Sequence, residues 1–258
     1  MIRVKKVEYI ELIEEQREVY MRSLPFAQEE YLEQIVNRCD YYKIELKSKT
    51  QGYFCVDKDK VLYEFYLNDE VVTFAQDIFK TLLEEEYFIA AECKSFDYLL
   101  MSLCLDFNKK AFCSGYLFRN FVNVKNSLNG FKNICFRLAN LKDKEKISDM
   151  SEDFFENLEE QILTEEIFVL YSDEILLAAG VAQKVFRSMD YYDIGMIVKK
   201  EYRNRGIGTY IITKLRENCC AHNVVPICGC WYYNHASKRT LEKAGFISKH
   251  RIITFNFK

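Results

Sequence analysis

Proline is almost missing from this chain: Pro25 and Pro226 are the only two in 258 residues. Glycine is nearly as scarce, with nine in all and only Gly52, Gly115 and Gly130 before residue 131. Such scarcity excludes collagen-like and Pro/Gly-rich disordered chains, and it makes any glycine cluster informative. No apolar stretch approaches the ~20 residues of a membrane-spanning helix. The longest apolar run that avoids charge covers residues 175–182. There is no basic excess either, with 36 Lys and Arg against 39 Asp and Glu. A net charge of −3 makes nucleic acid a poor partner. The basic start, Met1-Ile2-Arg3-Val4-Lys5-Lys6-Val7-Glu8, lacks the apolar block of a signal peptide. The expectation is a soluble cytoplasmic protein with no membrane partner.

Cysteine is plentiful, with ten residues, but no Cys-x-x-Cys pair and no disulfide framework can be read from the spacing. Most cysteines sit in apolar runs such as Phe54-Cys55-Val56, as small core hydrophobes in a reducing compartment do. Cys219, Cys220, His222, Cys228 and Cys230 have the chemistry of soft metal ligands. Their spacing does not suit a zinc site, and Cys228 and Cys230 fit one face of a strand, so no metal is expected.

At 49% hydrophobic residues the chain can bury one large core or two small ones. The aperiodic stretch 123–133, with Asn126, Ser127, Asn129 and Gly130, reads as a linker. It divides the chain into domains 1–130 and 131–258. In the second half, strands are expected at 134–138, 167–171, 175–182, 191–198 and 225–232. One or two helices fall in 143–163, and others begin near 206 and 234. One or two final strands cover 246–257. Ile207, Ile211, Leu215 and Cys219 recur every four residues, one stripe facing a sheet. Gly245 stands where a left-handed residue would end the helix over 234–244, with Phe246 placed to touch Leu241.

The first half repeats much of this order. Helices are expected at 8–21, 27–38, 70–85 and 96–107, and strands at 41–46, 52–56, 61–67, 88–92 and 111–118. It lacks a counterpart of the second half's first strand. Asn68-Asp69-Glu70 stands where the second half has a glycine turn, and its carboxylates would repel a phosphate. Two readings stay open: a divergent duplicate that binds no cofactor, or an unrelated accessory domain.

The richest segment is Arg203-Asn204-Arg205-Gly206-Ile207-Gly208, between a strand and a helix. Strand, glycine turn and helix together present free backbone N–H groups to an anion. Arg203-x-x-Gly206-x-Gly208, the lead-in Val198-Lys199-Lys200-Glu201-Tyr202-Arg203, and Asn234-x-x-Ser237 followed by Glu242-Lys243-Ala244-Gly245-Phe246 resemble the GNAT N-acetyltransferase superfamily. The resemblance covers residues 134–258. The first half resembles more loosely the N-terminal accessory domain of some bacterial members, through Gly52-Tyr53-Phe54-Cys55 and the run 103–118.

That resemblance implies an α/β fold with a splayed central mixed sheet flanked by helices, and acetyl-CoA as cofactor. Pyrophosphate would lie on the N–H groups from Arg205, Gly206, Ile207, Gly208, Thr209 and Tyr210, with Arg203 and Arg205 adding charge and Asn204 among the cofactor-binding residues. Pantetheine would lie between strands 193–198 and 227–232, beside Met196, with an N–H of Ile197 or Val198 polarising the thioester carbonyl. Asn234 would contact the pantetheine arm or cap its helix, and Ser237 would lie close by. The common tyrosine before the Glu-Lys pair is replaced by Leu241, which leaves Ser237, Tyr232 and Tyr233 as candidate acids. Asp193 is the better candidate base, ahead of Asp190. Trp231 would be a wall of the site or core.

The implied activity is acetyl transfer to a primary amine of a small molecule or peptide. The competing readings are a non-catalytic acyl-CoA-binding module and a protein-modifying enzyme whose first half recruits the target. Oligomeric state stays open, a homodimer included.

Overall fold

The computed structural model describes residues 2–8, 13–151 and 154–258, and they form two compact units. The first gathers residues up to Tyr116, Trp231–Tyr233 and His250–Lys258; the second holds Leu117–Cys230 and Asn234–Lys249.

Up to residue 118 the elements are β1 (Ile2–Val7), α1 (Glu14–Ser23), α2 (Glu30–Val36), β2 (Asp40–Leu46), β3 (Lys49–Val56), β4 (Val61–Leu67), α3 (Ala75–Glu84), β5 (Ala90–Lys94), α4 (Tyr98–Phe107) and β6 (Lys110–Phe118). Then follow β7 (Asn120–Phe121), β8 (Ile134–Leu138), α5 (Lys144–Ser151), α6 (Leu158–Leu163), β9 (Ile167–Ser172), β10 (Ile175–Lys184), β11 (Tyr191–Val198), α7 (Ile207–Ala221), β12 (Val225–Trp231), α8 (His235–Lys243), β13 (Phe246–Ile247) and β14 (His250–Asn256).

In the first unit the strand order is β1-β2-β3-β4-β5-β14-β6. Strand β1 supplies the element that the sequence reading lacked. Its Ile2 and Val4 alternate with Arg3 and Lys5, Val7 is buried at its end, and it pairs antiparallel with β2. The expected helix over 8–21 is seen from Glu14; its residues 9–12 lie outside the described ones. The last strand of the second half belongs here as well. Strand β14 pairs antiparallel with β5, from Ile252↔Lys94 to Asn256↔Ala90. A division of the chain at residue 130 would part those two strands. In α3, Ala75, Ile78, Phe79 and Leu82 form the buried stripe. Phe79 meets Phe88 and Phe65 at ring-centroid distances of 4.9 and 5.5 Å.

In the second unit the order is β12-β11-β10-β9-β8, with β13 paired to β7. The turn Asp173-Glu174 closes the β9–β10 hairpin, Asp173 having φ 52°. The expected α7 stripe is buried throughout: Ile207, Ile211, Leu215 and Cys219. Helix α8 ends as anticipated, with Gly245 at φ 94° and Leu241 and Phe246 buried. Arg216 of α7 is buried and donates to the carbonyls of Val122, Val124 and Ala244, which ties down the linker. Of the expected helical stretch 143–163, residues 152–153 lie outside the described ones.

Asp143 anchors the entry to α5. It accepts from both terminal nitrogens of Arg137, at 2.7 and 2.9 Å, and from the Tyr171 hydroxyl and the Asn140 N–H. Burial opposes its charge, but these donors prevail and hold its pKa at about 2. A carboxylate with a depressed folded pKa adds stability above its unfolded value of ~3.9 and loses it as pH falls toward the folded one. Asp143→Asn should therefore cost on the order of 1 kcal/mol at pH 7, the pair being partly screened by water. The difference should close between pH 4 and pH 2, as urea midpoints across that range will show.

Candidate functional site

Strands β11 and β12 run parallel but pair over only three positions: Tyr191↔Val225, Tyr192↔Pro226 and Asp193↔Ile227. Beyond Asp193 the two strands separate, although β11 continues to Val198 and β12 to Trp231. Backbone groups on that side of β11 are left facing a gap.

Alternation along the β10–β11 ladder says which groups these are. The Lys199 N–H donates to the Leu177 carbonyl at 3.0 Å, and the Val185 N–H donates to the Tyr191 carbonyl. Odd-numbered residues of β11 therefore address β10. The even-numbered ones face the other way, as Asp190 does in accepting from the Val225 N–H. Met196 and Val198 thus turn their N–H groups to the gap. Ile197, expected beside Val198 as an alternative donor, turns its N–H to β10. The Val198 carbonyl accepts from Arg203 Nε at 3.0 Å, which straps the end of β11 to the turn that follows.

That turn is left-handed twice, at Asn204 (φ 63°) and at Gly206 (φ 81°), the residue that caps the N-terminus of α7. A Cβ at Gly206 would meet no atom within 4 Å. Glycine is favoured there by the backbone conformation, and the space before the helix is open. The first helical bond runs from the Tyr210 N–H to the Gly206 carbonyl at 3.0 Å. Ile207, Gly208 and Thr209 precede it, and their N–H groups are the unpaired donors of a helix start. The N–H of Tyr210, expected among the anion donors, is taken up by the helix itself. Gly208 is also held to glycine by packing. A Cβ there would stand 3.1 Å from Met196 Cε and 3.2 Å from Thr240 Cγ2. It lets α7, α8 and β11 approach closely. Arg205 is exposed, with its guanidinium over the Tyr202 ring at 5.5 Å.

On α8, Asn234 caps the helix, its Oδ1 accepting from the Ser237 N–H at 3.0 Å. Ser237, Thr240, Leu241 and Ala244 make the inward stripe, with Ser237 at its N-terminal end. Leu241 is 3% exposed and is core. The two tyrosines lie in the first unit. Tyr232 stacks on Tyr116 at 4.8 Å, and its N–H donates to the Ser114 carbonyl. The hydrogen bond with Tyr116 raises its pKa. Tyr233 is exposed and lies edge-on to Trp231, itself 64% exposed and so not core.

The face of β10–β11 toward α5 and α6 carries residues that the sequence reading did not single out. Phe154 Cζ lies 3.4 Å from where a Cβ of Gly195 would stand. Gln183 is paired across the ladder with Asp193, and Gln161 Nε2 of α6 donates to its Oε1 at 3.3 Å. None of these has a local motif that could have announced it.

The first unit contains a similar parallel pair. Strands β4 and β5 pair only at Val61↔Ala90 and Leu62↔Ala91. Acidic Asn68-Asp69-Glu70 follows β4 in place of a glycine turn. The face of β4 toward α1 and α2 is filled by buried polar groups. Arg17 contacts Glu64 through two nitrogens at 2.9–3.2 Å and Glu33 at 2.8 Å. Lys94 Nζ donates to Gln28 Oε1 and to the Tyr20 hydroxyl, which donates to Asp97. Burial pushes Glu64 upward, but Arg17 and then Lys94 outweigh it and hold the pKa below the ordinary value. Burial keeps Glu33 and Asp97 above theirs.

Among the described residues no helix is long and apolar enough to cross a membrane. Residues 9–121 match a family model described as an acetyltransferase (GNAT) domain, and residues 135–246 one described as the acetyltransferase (GNAT) family. No curated protein sequence matches the chain. Among solved structures, a GNAT-family acetyltransferase from Colwellia psychrerythraea is 21% identical and superposes with a TM-score of 0.88, over 99% of this chain and all of that one. A tandem GNAT protein of the clavulanic acid biosynthesis pathway is 9% identical, with a TM-score of 0.60 over 99% and 98% of the two chains. A GNAT protein from Sphaerobacter thermophilus is 10% identical, with a TM-score of 0.60 over 95% and 85%. At these identities the likeness concerns the fold.

Proposed function

We propose, for a chain that belongs to the GNAT acetyltransferases as a tandem of two such domains, that the second domain transfers an acetyl group from acetyl-CoA to a primary amine and that the first domain binds no cofactor. The observation that carries this reading is the juxtaposition in the second unit. The β11–β12 pair parts after Asp193↔Ile227, and β11 leads directly into a left-handed glycine with three unpaired N–H groups behind it.

The donors fit a pyrophosphate. The N–H groups of Ile207, Gly208 and Thr209 converge at the positive end of α7, with Arg205 and the free nitrogens of Arg203 adding charge. Acetyl-CoA, when bound, supplies an activated acetyl thioester. Met196 and Val198 would hold its pantetheine arm and carbonyl by backbone N–H, as an oxyanion-type donor pair. Asn234, its oxygen committed to the cap, keeps an amide N–H₂ to offer. Asp193 would take the proton from the amine, and Ser237 would return one to the departing sulfur.

A thermal shift and a thiol assay test the reading. Acetyl-CoA at ~100 times its Kd should add about 2.7 kcal/mol of stability. Titration calorimetry should give one site per chain. Free CoA thiol should accumulate when amines are added. Absence of any shift with millimolar acetyl-CoA would sink the proposal, and two sites per chain would sink its second clause. Leu241 favours a second reading, cofactor binding without transfer. A stabilised protein that releases no CoA across a broad amine panel would select it.

A further inference from the structure

We infer that a cavity at the outer edge of the second unit, between β8, the start of α5 and the β9–β10 turn, binds a small zwitterion of the acidic α-amino-acid class, its carboxylates toward α5 and its ammonium toward the turn. Strand β10 separates β8 and β9 from the β11–β12 gap, so this is a second site and needs no acetyl transfer.

The cavity encloses about 320 Å³, room for a ligand of that size. Cys135 and Arg137 of β8 share one face of the strand, and Tyr171 of β9 stands directly across from Cys135; these three make the floor. The floor has no spare charge. Arg137 gives both terminal nitrogens to Asp143, and Asp143 also accepts from the Tyr171 hydroxyl.

The walls are different. Lys142 lines the cavity from just before α5, and Lys146 lines it from one turn further on. Lys146 Nζ lies 5.5 Å from the centroid of the Tyr171 ring. Among the described residues neither ammonium has a carboxylate partner. Asp173 and Glu174 of the β9–β10 turn line the cavity as well, at the end of β8 where Ile134 pairs with Ser172. Asp173 accepts from the neutral amide of Asn133 at 2.6 Å, and Glu174 has no partner among the described residues. The other acids of α5, Glu145 and Asp149, do not line the cavity.

Two ammonium groups and two carboxylates therefore face one concavity and do not pair with each other. A ligand that carries both signs can answer both walls. A plain anion is opposed by the turn, and a plain amine is opposed by the lysines.

The test uses the full chain and L-glutamate as the probe. Glutarate lacks its ammonium, and butylamine lacks its carboxylates. Titration calorimetry should show saturable millimolar binding of glutamate, with the other two weaker by about threefold or more, as exposed charge contacts allow. Glu174→Gln should weaken glutamate about threefold without weakening glutarate, and Lys146→Met should weaken both by a similar factor. Both side chains are exposed, so the fold should tolerate the changes. A readout without variants fixes the place. Saturating glutamate should slow alkylation of Cys135 by iodoacetamide at least about twofold, while Cys220, also exposed, reacts as before. Glutamate bound elsewhere, as an acceptor amine for instance, would leave Cys135 labelling unchanged and overturn the inference. No saturable binding at millimolar glutamate, equal affinity for the three probes, or unchanged affinity in both variants would overturn it too.

Discussion

Replacing Arg17 with methionine should destabilise the first unit by about 3–5 kcal/mol at pH 7. Arg17 is 6% exposed and lies between Glu64, fully buried, and Glu33, 4% exposed. Methionine keeps the apolar stem but takes from two buried carboxylates the guanidinium that both bind, with Lys94 the cation that remains near Glu64. The pH dependence separates this cause from simple loss of packing. In the parent, Glu64 is held below its ordinary pKa, so its contribution is present above the unfolded value of ~4.3 and fades as pH falls through the folded one. In the variant its folded pKa must rise, so that protonation relieves the protein instead. The gap between parent and variant should be widest near neutrality and narrow toward pH 4. Glu33 and Asp97, raised in the parent, run in the opposite sense, so the comparison has to be made between the two proteins. Adding Glu64→Gln should recover part of the loss. A cost under about 1 kcal/mol at pH 7, or one that ignores pH, would mean that the network does not hold the unit together.

Gly206→Asp should weaken acetyl-CoA binding by at least 100-fold, about 2.7 kcal/mol, while changing stability by no more than ~1 kcal/mol. The two effects part for a physical reason. Aspartate tolerates φ near 81° better than most residues, and it is a good N-cap. It would keep α7 by accepting the N–H groups of Gly208 or Thr209, which are the donors that the pyrophosphate needs. Its charge then repels what remains. Gly206→Ala, with strain but neither charge nor acceptor, should fall between. Isothermal titration of the folded variants decides it. An aspartate variant that binds as tightly as the parent would place the phosphates elsewhere.

Much of this site was legible in the sequence because its parts are local. Gly206 announces a turn, the four-residue spacing of Ile207 to Cys219 announces a buried stripe, and Gly245 with Phe246 announces a helix stop. Each depends on neighbours a few residues away. What escaped depends on partners far along the chain. Arg17, Gln28, Glu33, Glu64, Lys94 and Asp97 form one buried cluster, yet in sequence each is an ordinary polar residue. Ile2–Val7 reads as a basic tail until Tyr41–Leu46 is there to pair with it. The choice of Val198 over Ile197 comes from ladder parity, which Lys199 fixes through Leu177. Gly208 reads from the sequence as part of an anion loop, two residues from Gly206, and its packing role is hidden there. That role comes from Met196 and Thr240, whose approach no local pattern foretells.

The pairing of β14 with β5 sets an order of events during synthesis. The ribosome releases His250–Asn256 only after every residue of the second unit has emerged. Until then β5 waits with an open edge, and the first unit cannot close when its own half of the chain is finished. The second unit can complete its sheet earlier, although it is encoded later. A nascent chain stalled before residue 250 should expose that edge to chaperones or to another chain. For the same reason, a fragment that starts at residue 131 would carry β14 as a strand with nothing to pair with.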